Sequence, residues 1–416
     1  MDRRDFLLGT ALLPGAAQAA RAANVAKPSA KPKVRAITGF VNIDVAHHAE
    51  QIHATLDVLR QAKRSVEAAG YQVESVRITT QPFVDIVRGM PRRDAVGFLR
   101  AYAGLSGSEN FGAGIGPAMM RDNDDPAAAE LLAEVLSAGK GPNASIIVAS
   151  TDGIHWRAIQ AAARLIKSVA ESSPASSGNF SFAATAMLAP CGPFFPGSYH
   201  VGPGRQFAIG TEGANVVEEV FAETGGNAPM AIERLTQALS FHAAAIEKAA
   251  LQIEKETGWT YMGIDATPAP LGDVSIGAAI EKFTGAKFGS SGTMTAASII
   301  TKAVQSAPVK RIGYSGLMVP VLEDRLLAQR WAEGTYGVDA LLAYSAVCGT
   351  GLDTIPMPGD ATVQQIERML GDVASLAFKW NKPLSARLLP VAGKKPGERT
   401  AFNDPRMMNT VIQPLR

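Results

Sequence analysis

Short apolar runs rich in β-branched residues alternate along the chain with longer segments whose apolar positions recur every three to four residues, as in α/β proteins. The short runs predict strands over 34–42, 73–79, 144–150, 180–188, 206–210, 261–266, 311–320 and 385–391. The longer segments predict helices over 46–69, 127–138, 154–171, 215–222, 231–257, 275–284, 293–305, 322–333 and 363–379. No fixed-period repeat is visible, which argues against a solenoid. We expect one large domain over residues 34–416.

The first 23 residues carry the pattern of an export signal. Arg3 and Arg4 precede an apolar stretch over 7–17 that is too short to span a bilayer. Small residues then offer cleavage sites near Ala19 to Ala23. This pattern predicts export by the twin-arginine machinery, which carries folded proteins, and a periplasmic or otherwise exported location. An ordinary secretion signal that contains two arginines is the alternative. Residues 24–33, rich in Lys, Pro and Ala, predict a flexible linker.

The charge balance argues against two classes of partner. With 40 basic and 38 acidic side chains, the formal net charge is +2, so no strong positive field attracts nucleic acid or a membrane surface. No later stretch is apolar for long enough to predict stable membrane insertion. Two cysteines, Cys191 and Cys348, are too few for a disulfide framework, and two separately buried thiols are favoured over a mutual disulfide. The general frequency of symmetric dimers predicts a homodimer.

A proline-rich turn after the strand at 261–266 places two carboxylates on a rigid backbone. Asp265 ends the strand, and Asp273 precedes the helix that starts at Ser275. Such a pair can bind a hard cation, or act as a base with an orienting group. The structural alternative is that Asp273 caps the helix and Asp265 holds backbone amides. We favour the cap for Asp273 and leave both interpretations open for Asp265.

A turn of small residues, Ser290-Ser291-Gly292-Thr293, leads into the next predicted helix. Free N–H groups and hydroxyls at a helix start can cradle a carboxylate or a phosphate, which makes this turn a candidate anion site. It is no P-loop, because the required Gly-Lys-Ser/Thr ending is missing. Helix capping alone is the alternative explanation.

Two loops carry candidate reactive side chains. Cys348 lies beside glycines, where a thiolate of low pKa would be nucleophilic, although a buried apolar thiol is the interpretation we favour. His200 follows an aromatic, proline-rich loop of the kind that lines pockets. The His-x-x-x-His spacing of zinc peptidases is missing. A divalent metal is a candidate cofactor, with Asp265, Asp273 and His200 as its ligands.

Several motifs occur in one order along most of the chain. They are the turn from Asp265 to Asp273, Gly292-Thr293, Gly316 to Pro320 followed by Glu323-Asp324, Cys348 with Gly351-Leu352-Asp353, Arg387, and Pro193-Phe194 with Gly197 and His200. Through these motifs the chain resembles domain-of-unknown-function family 711, a group of uncharacterised bacterial and archaeal proteins, from about residue 34 to 391.

The resemblance implies a large single-domain α/β barrel like that of pyruvate formate-lyase and other glycyl-radical enzymes. In those enzymes a cysteine on a finger loop meets a radical glycine, and Cys348 would take the first role. The segment 311–314 is one residue short of the radical-glycine motif, and it precedes the cysteine. Because the chain also carries an export signal, we expect no glycyl-radical chemistry. The family has no agreed activity, so the resemblance transfers positions and no catalytic role.

The leading hypothesis is an exported enzyme that acts on a small polar or anionic molecule inside the barrel. Asp265 and His200 would be acid–base or metal-binding groups, Glu323 and Asp353 further carboxylates, and Cys348 a candidate nucleophile. Several carboxylates in a closed interior push their pKa values apart, as acid–base chemistry requires. The alternative is a solute-binding protein that captures its ligand without converting it.

Overall fold

The computed structural model describes residues 28–139 and 141–415. The predicted export signal therefore lies outside the described residues. The strands in these ranges are β1 (Lys33–Val41), β2 (Val76–Pro82), β3 (Gly112–Gly116), β4 (Ala144–Ser150), β5 (Gly153–Ile154), β6 (Phe182–Ala186), β7 (Gln206–Glu212), β8 (Thr260–Asp265), β9 (Gly351–Pro358) and β10 (Leu384–Val391).

The helices are α1 (His48–Ala68), α2 (Phe83–Ile86), α3 (Arg92–Glu109), α4 (Ala127–Leu136), α5 (Trp156–Ser172), α6 (Ala214–Thr224), α7 (Ala228–Thr257), α8 (Ile276–Thr284), α9 (Thr293–Ser306), α10 (Arg325–Ala332), α11 (Val338–Ser345) and α12 (Val363–Trp380), with a 3₁₀ segment at Pro174–Ser181. Among the described residues, no helix combines the length and the apolar character that crossing a membrane requires.

The strands form two five-stranded sheets, in the orders β3-β2-β1-β7-β8 and β5-β4-β6-β10-β9. Isolated backbone bridges continue the pairing at the sheet edges. Gly114 of β3 pairs with Asn143, directly before β4, while Ile264 of β8 pairs with Arg311. Pro320 pairs with Asp353 of β9. The segment 311–320 therefore connects β8, at the edge of the first sheet, with β9, at the edge of the second. The two sheets thereby enclose one interior, and the fold is the expected α/β barrel.

Helices cover the outer faces of the sheets. β9 and β10 are buried at all eight of their positions, as expected for strands with the barrel interior on one side and helices on the other. The outer layer is amphipathic: α12, for example, buries Ile366, Leu370, Val373 and Ala377 along one stripe. The helix begins with a capping box formed by Thr362 and Gln365, which satisfies backbone N–H groups at its start.

The predicted elements match most of the observed ones, with three kinds of difference. The predicted strand over 311–320 is wrong: the left-handed backbone at Gly313 and Ser315 breaks it, and it makes isolated bridges at its ends. β3 was missed because its sequence is Gly-Ala-Gly-Ile-Gly, and β9 because two prolines interrupt it. The helices α2, α3 and α11 and the two-residue strand β5 were also not predicted.

The chain between β6 and β7, here called the interior loop (residues 187–205), enters the barrel. Glycines on the strands make room for its aromatic side chains. A Cβ atom at Gly114 would lie 2.7 Å from the Phe195 ring, and one at Gly210 would lie 3.0 Å from the Phe194 ring. The glycine-rich sequence of β3 therefore reflects a close approach of the interior loop.

The described part of the predicted linker is attached to the domain. The Ser29 and Ala30 amides donate to the Glu219 carboxylate of α6, at 3.2 and 2.8 Å. The Ala30 carbonyl oxygen lies 3.1 Å from His242 Nε2 of α7. Because β1 begins at Lys33, these contacts hold the chain directly before the first strand against two helices.

Candidate functional site

A cavity of about 290 Å³ lies inside the barrel. Strands of both sheets line it: Arg35 of β1 and Arg77 of β2 face it from the first sheet, and Asp353 of β9 and Arg387 of β10 from the second. Its volume is at the lower end of the range for small-molecule sites. The apolar part of its wall comes largely from aromatic residues and prolines: Phe180, Phe194, Phe195, Pro196 and Pro270.

Arg387 holds two carboxylates in the wall of the cavity. Its Nε donates to Asp353 Oδ1, and its Nη2 donates to Glu323 Oε1. Glu323 also accepts from Arg35 Nη2 at 3.3 Å, and Arg35 Nη1 donates to Glu212 at 2.6 Å. The exposed fractions of Glu323, Asp353 and Arg387 are 7%, 5% and 8%, so the network is screened from bulk water. Charges in such a position interact strongly with one another.

The two carboxylates bound by Arg387 differ in pKa. Burial raises the pKa of Asp353 above its usual range, and the attraction of Arg387 offsets this only in part. Burial also opposes ionisation of Glu323, but the combined attraction of Arg387 and Arg35 outweighs it and lowers the pKa of Glu323. A pair of acids with separated pKa values is the arrangement that proton transfer requires.

An unusual backbone conformation follows Asp353. Thr354 has a φ of 50°, which is rare for a β-branched residue because its side chain crowds the backbone. Its Oγ1 accepts a hydrogen bond at 3.0 Å from the Leu322 amide, next to Glu323. This bond fixes the strand that carries Asp353 to the segment that carries Glu323. Backbone outliers of this kind concentrate at functional sites.

Arg77 differs from the other cavity arginines because no carboxylate lies within salt-bridge distance of it among the described residues. Its Nε donates to Ser75 Oγ at 3.1 Å, and its guanidinium carbon lies 5.1 Å from the centre of the Phe195 ring. Burial, with repulsion from Arg35 and Arg406, lowers the pKa of Arg77 to about 9, so the group is still cationic at neutral pH. Glu323 and Glu74 attract it from a distance, and it presents to the cavity a positive charge without a direct carboxylate partner.

A fourth arginine reaches the cavity from the C-terminal segment, defined here as residues 398–412. Arg406 bonds Asp404, and its guanidinium carbon lies 4.7 Å from the centre of the Phe180 ring. The segment is anchored by Phe402, Met407 and Ile412, which pack in one apolar cluster with Phe180. Arg406 thus lies at the solvent-exposed rim of the cavity, with 57% of its side chain accessible.

Of the residues singled out from the sequence, Glu323 and Asp353 line the cavity, and Asp265 does not. Asp265 is fully buried, and its carboxylate accepts from the Thr267, Tyr314 and Ser315 amides and the Thr267 hydroxyl at 2.5 to 3.1 Å. Burial is the largest influence on its pKa, which is raised to about 6. These contacts correspond to the structural interpretation, in which Asp265 holds backbone amides.

His200 and Cys348 are buried away from the cavity lining. His200 Nε2 lies 3.2 Å from the Val41 carbonyl oxygen, and burial lowers the pKa of this histidine, so it is neutral at pH 7. Burial raises the pKa of the Cys348 thiol, which disfavours a thiolate. Cys191 and Cys348 are both buried and unpaired with each other. They form the two separate thiols that the sequence favours.

The remaining candidates lie outside the cavity lining, and all of them except the buried Thr293 are exposed. The Asp273 side chain is exposed and pairs with Arg325; Ser275 caps α8 in its place, accepting from the Ala278 amide at 2.9 Å. The predicted helix cap at Asp273 is therefore wrong. Ser290, Ser291 and Gly292 are exposed at the start of α9, and the Thr293 hydroxyl accepts from the Gly289 amide at 3.1 Å.

The proposed metal ligands are not brought together. Within residues 28–139 and 141–415, no group of three or more His, Cys, Asp or Glu side chains is arranged to hold a metal ion. The structure thus places Asp265, Asp273 and His200 in three different environments, and the cavity carboxylates are bound by guanidinium groups.

Sequence reasoning missed Arg35, Arg77 and Arg406. A signal for the first two was present: each is a charged residue within a predicted apolar strand, and charged residues are rarely placed there without a specific role. Arg406 lies in a segment without regular periodicity, so no local pattern could have assigned it to the cavity.

Comparison with known proteins agrees with the motif order. Residues 28–403 match the family model described as "Uncharacterised ACR (DUF711)". A UPF0210 protein of Pyrobaculum aerophilum is 33% identical over 381 residues, covering 88% of this chain and 77% of that protein. A UPF0210 protein of Pyrobaculum arsenaticum is 31% identical over 355 residues, covering 82% and 72%.

Among solved structures, the anaerobic ribonucleotide reductase of Thermotoga maritima in complex with dATP and CTP is similar, with a TM-score of 0.41 and 9% identity, covering 85% of this chain and 75% of that one. Similarity at this level carries no information about the reaction. The family model and the Pyrobaculum proteins, by contrast, match most of the chain, and this protein therefore belongs to the DUF711 family.

Proposed function

We propose that this protein is an enzyme that binds a small anionic molecule in the barrel cavity and converts it by acid–base chemistry. The observation that carries the proposal is the guanidinium group of Arg77, which faces the cavity without a carboxylate in salt-bridge contact among the described residues. Arg77 is half-buried, so its charge is only partly solvated, and an anionic ligand would offset that cost. A guanidinium group also orients a carboxylate or phosphate through two parallel hydrogen bonds.

The acid–base groups are the carboxylates bound by Arg387. Asp353, whose pKa is raised by burial, is the residue that exchanges a proton with the bound molecule. Glu323 stays ionised because Arg387 and Arg35 lower its pKa against the effect of burial, and it holds both guanidinium groups in position. Burial raises the pKa of the cavity-lining Tyr314, so its hydroxyl stays protonated and can donate to an oxyanion.

The test separates binding from conversion. The purified protein is incubated with a small-molecule extract, and the consumed and retained compounds are identified by mass spectrometry. We expect Arg77→Gln to lose retention of the compound, and Asp353→Asn to retain it without converting it. Arg88→Gln, which removes an exposed arginine, is the charge-matched control.

Three results would count against the enzyme. A compound recovered unchanged from the wild-type protein, with none consumed, would support the alternative of a solute-binding protein. Equal retention by Arg77→Gln and the wild type would show that Arg77 does not bind the compound. Unchanged turnover in Asp353→Asn would remove Asp353 as the proton-exchanging group.

The export signal adds a location to the proposal. The Arg3-Arg4 pair and the apolar stretch after it support export through the twin-arginine machinery to the periplasm or beyond. We expect the wild-type chain to be shortened and recovered outside the cytoplasm, and Arg3→Lys with Arg4→Lys to keep it inside at full length. Fractionation with mass spectrometry of the N-terminus measures both. Equal export of the double variant would favour the ordinary secretion signal.

A further inference from the structure

Two guanidinium groups with unused hydrogen-bond donors line the cavity from separate elements. Arg77 projects from β2, and Arg406 from the C-terminal segment. Each lies over an aromatic ring that lines the same cavity, Arg77 over Phe195 at 5.1 Å and Arg406 over Phe180 at 4.7 Å. Stacking on an aromatic face fixes the plane of a guanidinium group and leaves its N–H edge available.

The unused donors can be counted. Arg77 bonds Ser75 through Nε, and neither of its Nη atoms has a partner among the described residues. Arg406 bonds Asp404 through Nε at 2.9 Å and Nη2 at 2.7 Å, and its Nη1 has no partner in the same ranges. Two nitrogen atoms of Arg77 and one of Arg406 are therefore available to a ligand.

The acidic side chains of the cavity are already engaged by other cations. Glu323 is bonded by Arg387 and Arg35. Glu74 lies 3.2 Å from Lys33 Nζ and 3.5 Å from Arg35 Nη1. Neither carboxylate bonds Arg77 or Arg406 in the described structure, so the space that these two arginines face is left to a ligand.

The number of donors distinguishes between classes of anion. The two oxygens of one carboxylate are satisfied by the two Nη groups of a single arginine. A phosphoryl group presents three oxygens and close to two negative charges. A phosphoryl group can therefore accept hydrogen bonds from a second guanidinium group, to which a carboxylate would not bond.

Resting on the proposed function, we propose that the substrate is a small phosphate monoester whose phosphoryl group is bound between Arg77 and Arg406. The C-terminal segment then contributes to substrate selection, because it supplies the second guanidinium group. Burial, followed by repulsion from Arg35 and Arg406, lowers the pKa of Arg77 to about 9, and a dianion between the two arginines would offset that repulsion.

The experiment is calorimetric titration of the full chain at pH 8 with three probes: inorganic phosphate, acetate and succinate. We expect phosphate to bind at least about tenfold more tightly than acetate or succinate, since charge-assisted hydrogen bonds are the strong ones. Arg406→Gln should weaken phosphate binding by about tenfold and leave acetate binding unchanged. Arg77→Gln should remove binding of every anion.

Arg399→Gln is the matched control, since it removes an exposed arginine from the same segment and Arg399 does not line the cavity. Thermal unfolding of each variant shows that the fold is retained. If Arg406→Gln leaves the segment unfolded, Arg406→Lys, which keeps the charge and loses the guanidinium donors, takes its place and should also weaken phosphate binding.

The outcomes separate the two proposals. Equal phosphate affinity in Arg406→Gln and the wild type, binding of acetate or succinate as tight as that of phosphate, or no phosphate binding to the wild type overturns the phosphoryl assignment. The proposed function stands in each of these cases if Arg77→Gln still loses retention of the extracted compound. Wild-type anion affinity in Arg77→Gln overturns both.

Discussion

Replacing Arg387 by methionine removes the cation that two buried carboxylates share. Methionine keeps much of the apolar stem of the side chain, so the change is mainly one of charge. Glu323 retains a contact with Arg35 at 3.3 Å, whereas Asp353 loses its guanidinium partner. Breaking a buried ion pair by removing one partner costs about 3–5 kcal/mol. We expect a loss of that size in the free energy of unfolding at pH 7.

The loss should depend on pH. In the wild type, Arg387 and Arg35 lower the folded-state pKa of Glu323 against the effect of burial, so its contribution is present above its unfolded pKa and is lost as the pH falls. In Arg387→Met, burial without the cation raises the folded-state pKa of Asp353 further, whereas Glu323 keeps the attraction of Arg35. The contribution of Asp353 is then present below its unfolded pKa and is lost as the pH rises. The free energy of unfolding of the variant should therefore be lower at pH 8 than at pH 5.

Urea denaturation at pH 5 and pH 8 measures both effects. Adding Asp353→Asn to the variant should recover part of the lost stability, because the unpaired charge is removed. Arg92→Met is the control: it breaks the exposed ion pair with Glu134, and we expect a change below about 1 kcal/mol. A cost below about 1 kcal/mol for Arg387→Met, equal at both pH values, would refute the reasoning that the network is buried and electrostatically coupled.

Three other substitutions test the structure. Asp324 accepts hydrogen bonds at 2.8 to 3.2 Å from four backbone amides at the starts of α8 and α10, those of Ile276, Gly277, Leu326 and Leu327. Asp324→Ala removes these acceptors and should lower the free energy of unfolding, measured by urea denaturation, by about 2–4 kcal/mol. A loss typical of one exposed helix cap would contradict this. Asp265→Asn places an N–H donor among the groups that donate to Asp265 and should lower stability by about 1–3 kcal/mol, whereas a fully stable, inactive variant would instead support the catalytic interpretation. Burial is the main cause that raises the pKa of Glu212 to about 7, so the contribution of Glu212 to folding stability is present below its unfolded pKa and is lost as the pH rises through 7. Glu212→Gln should therefore reduce the decline of the urea midpoint between pH 5 and pH 8. An unchanged decline would exclude Glu212 as its source.

Much of the fold could be predicted because strand and helix periodicities are local properties. The bounds of β4 and the first residues of α4, α9 and α12 agree with the predicted ones. The failures have physical causes as well. β3 lacks the side chains that identify a strand because its glycines accommodate the interior loop, a requirement set by residues about 80 positions away in sequence.

The candidate site could be predicted only in part. Glu323 and Asp353 stand out from the sequence and meet at the cavity, whereas Asp265, which stands out equally, is used to hold backbone amides. Glu323 and Asp265 look alike in sequence, since each lies at the end of an apolar run. The difference lies in which donors the folded chain brings to each carboxylate: guanidinium groups in the first case, and amides in the second.

By itself the amino-acid sequence determined the class of the fold and the family, because these depend on local periodicity and motif order. Its short N-terminal pattern predicts export, which stays a prediction. Tertiary structure alone decided the chemistry of the cavity. Arg77 and Arg406 belong to distant parts of the chain, and only the closure of the two sheets, with the C-terminal segment packed against Phe180, brings their charges to one space. Electrostatic interactions depend on distance and burial, and neither quantity is encoded in sequence spacing.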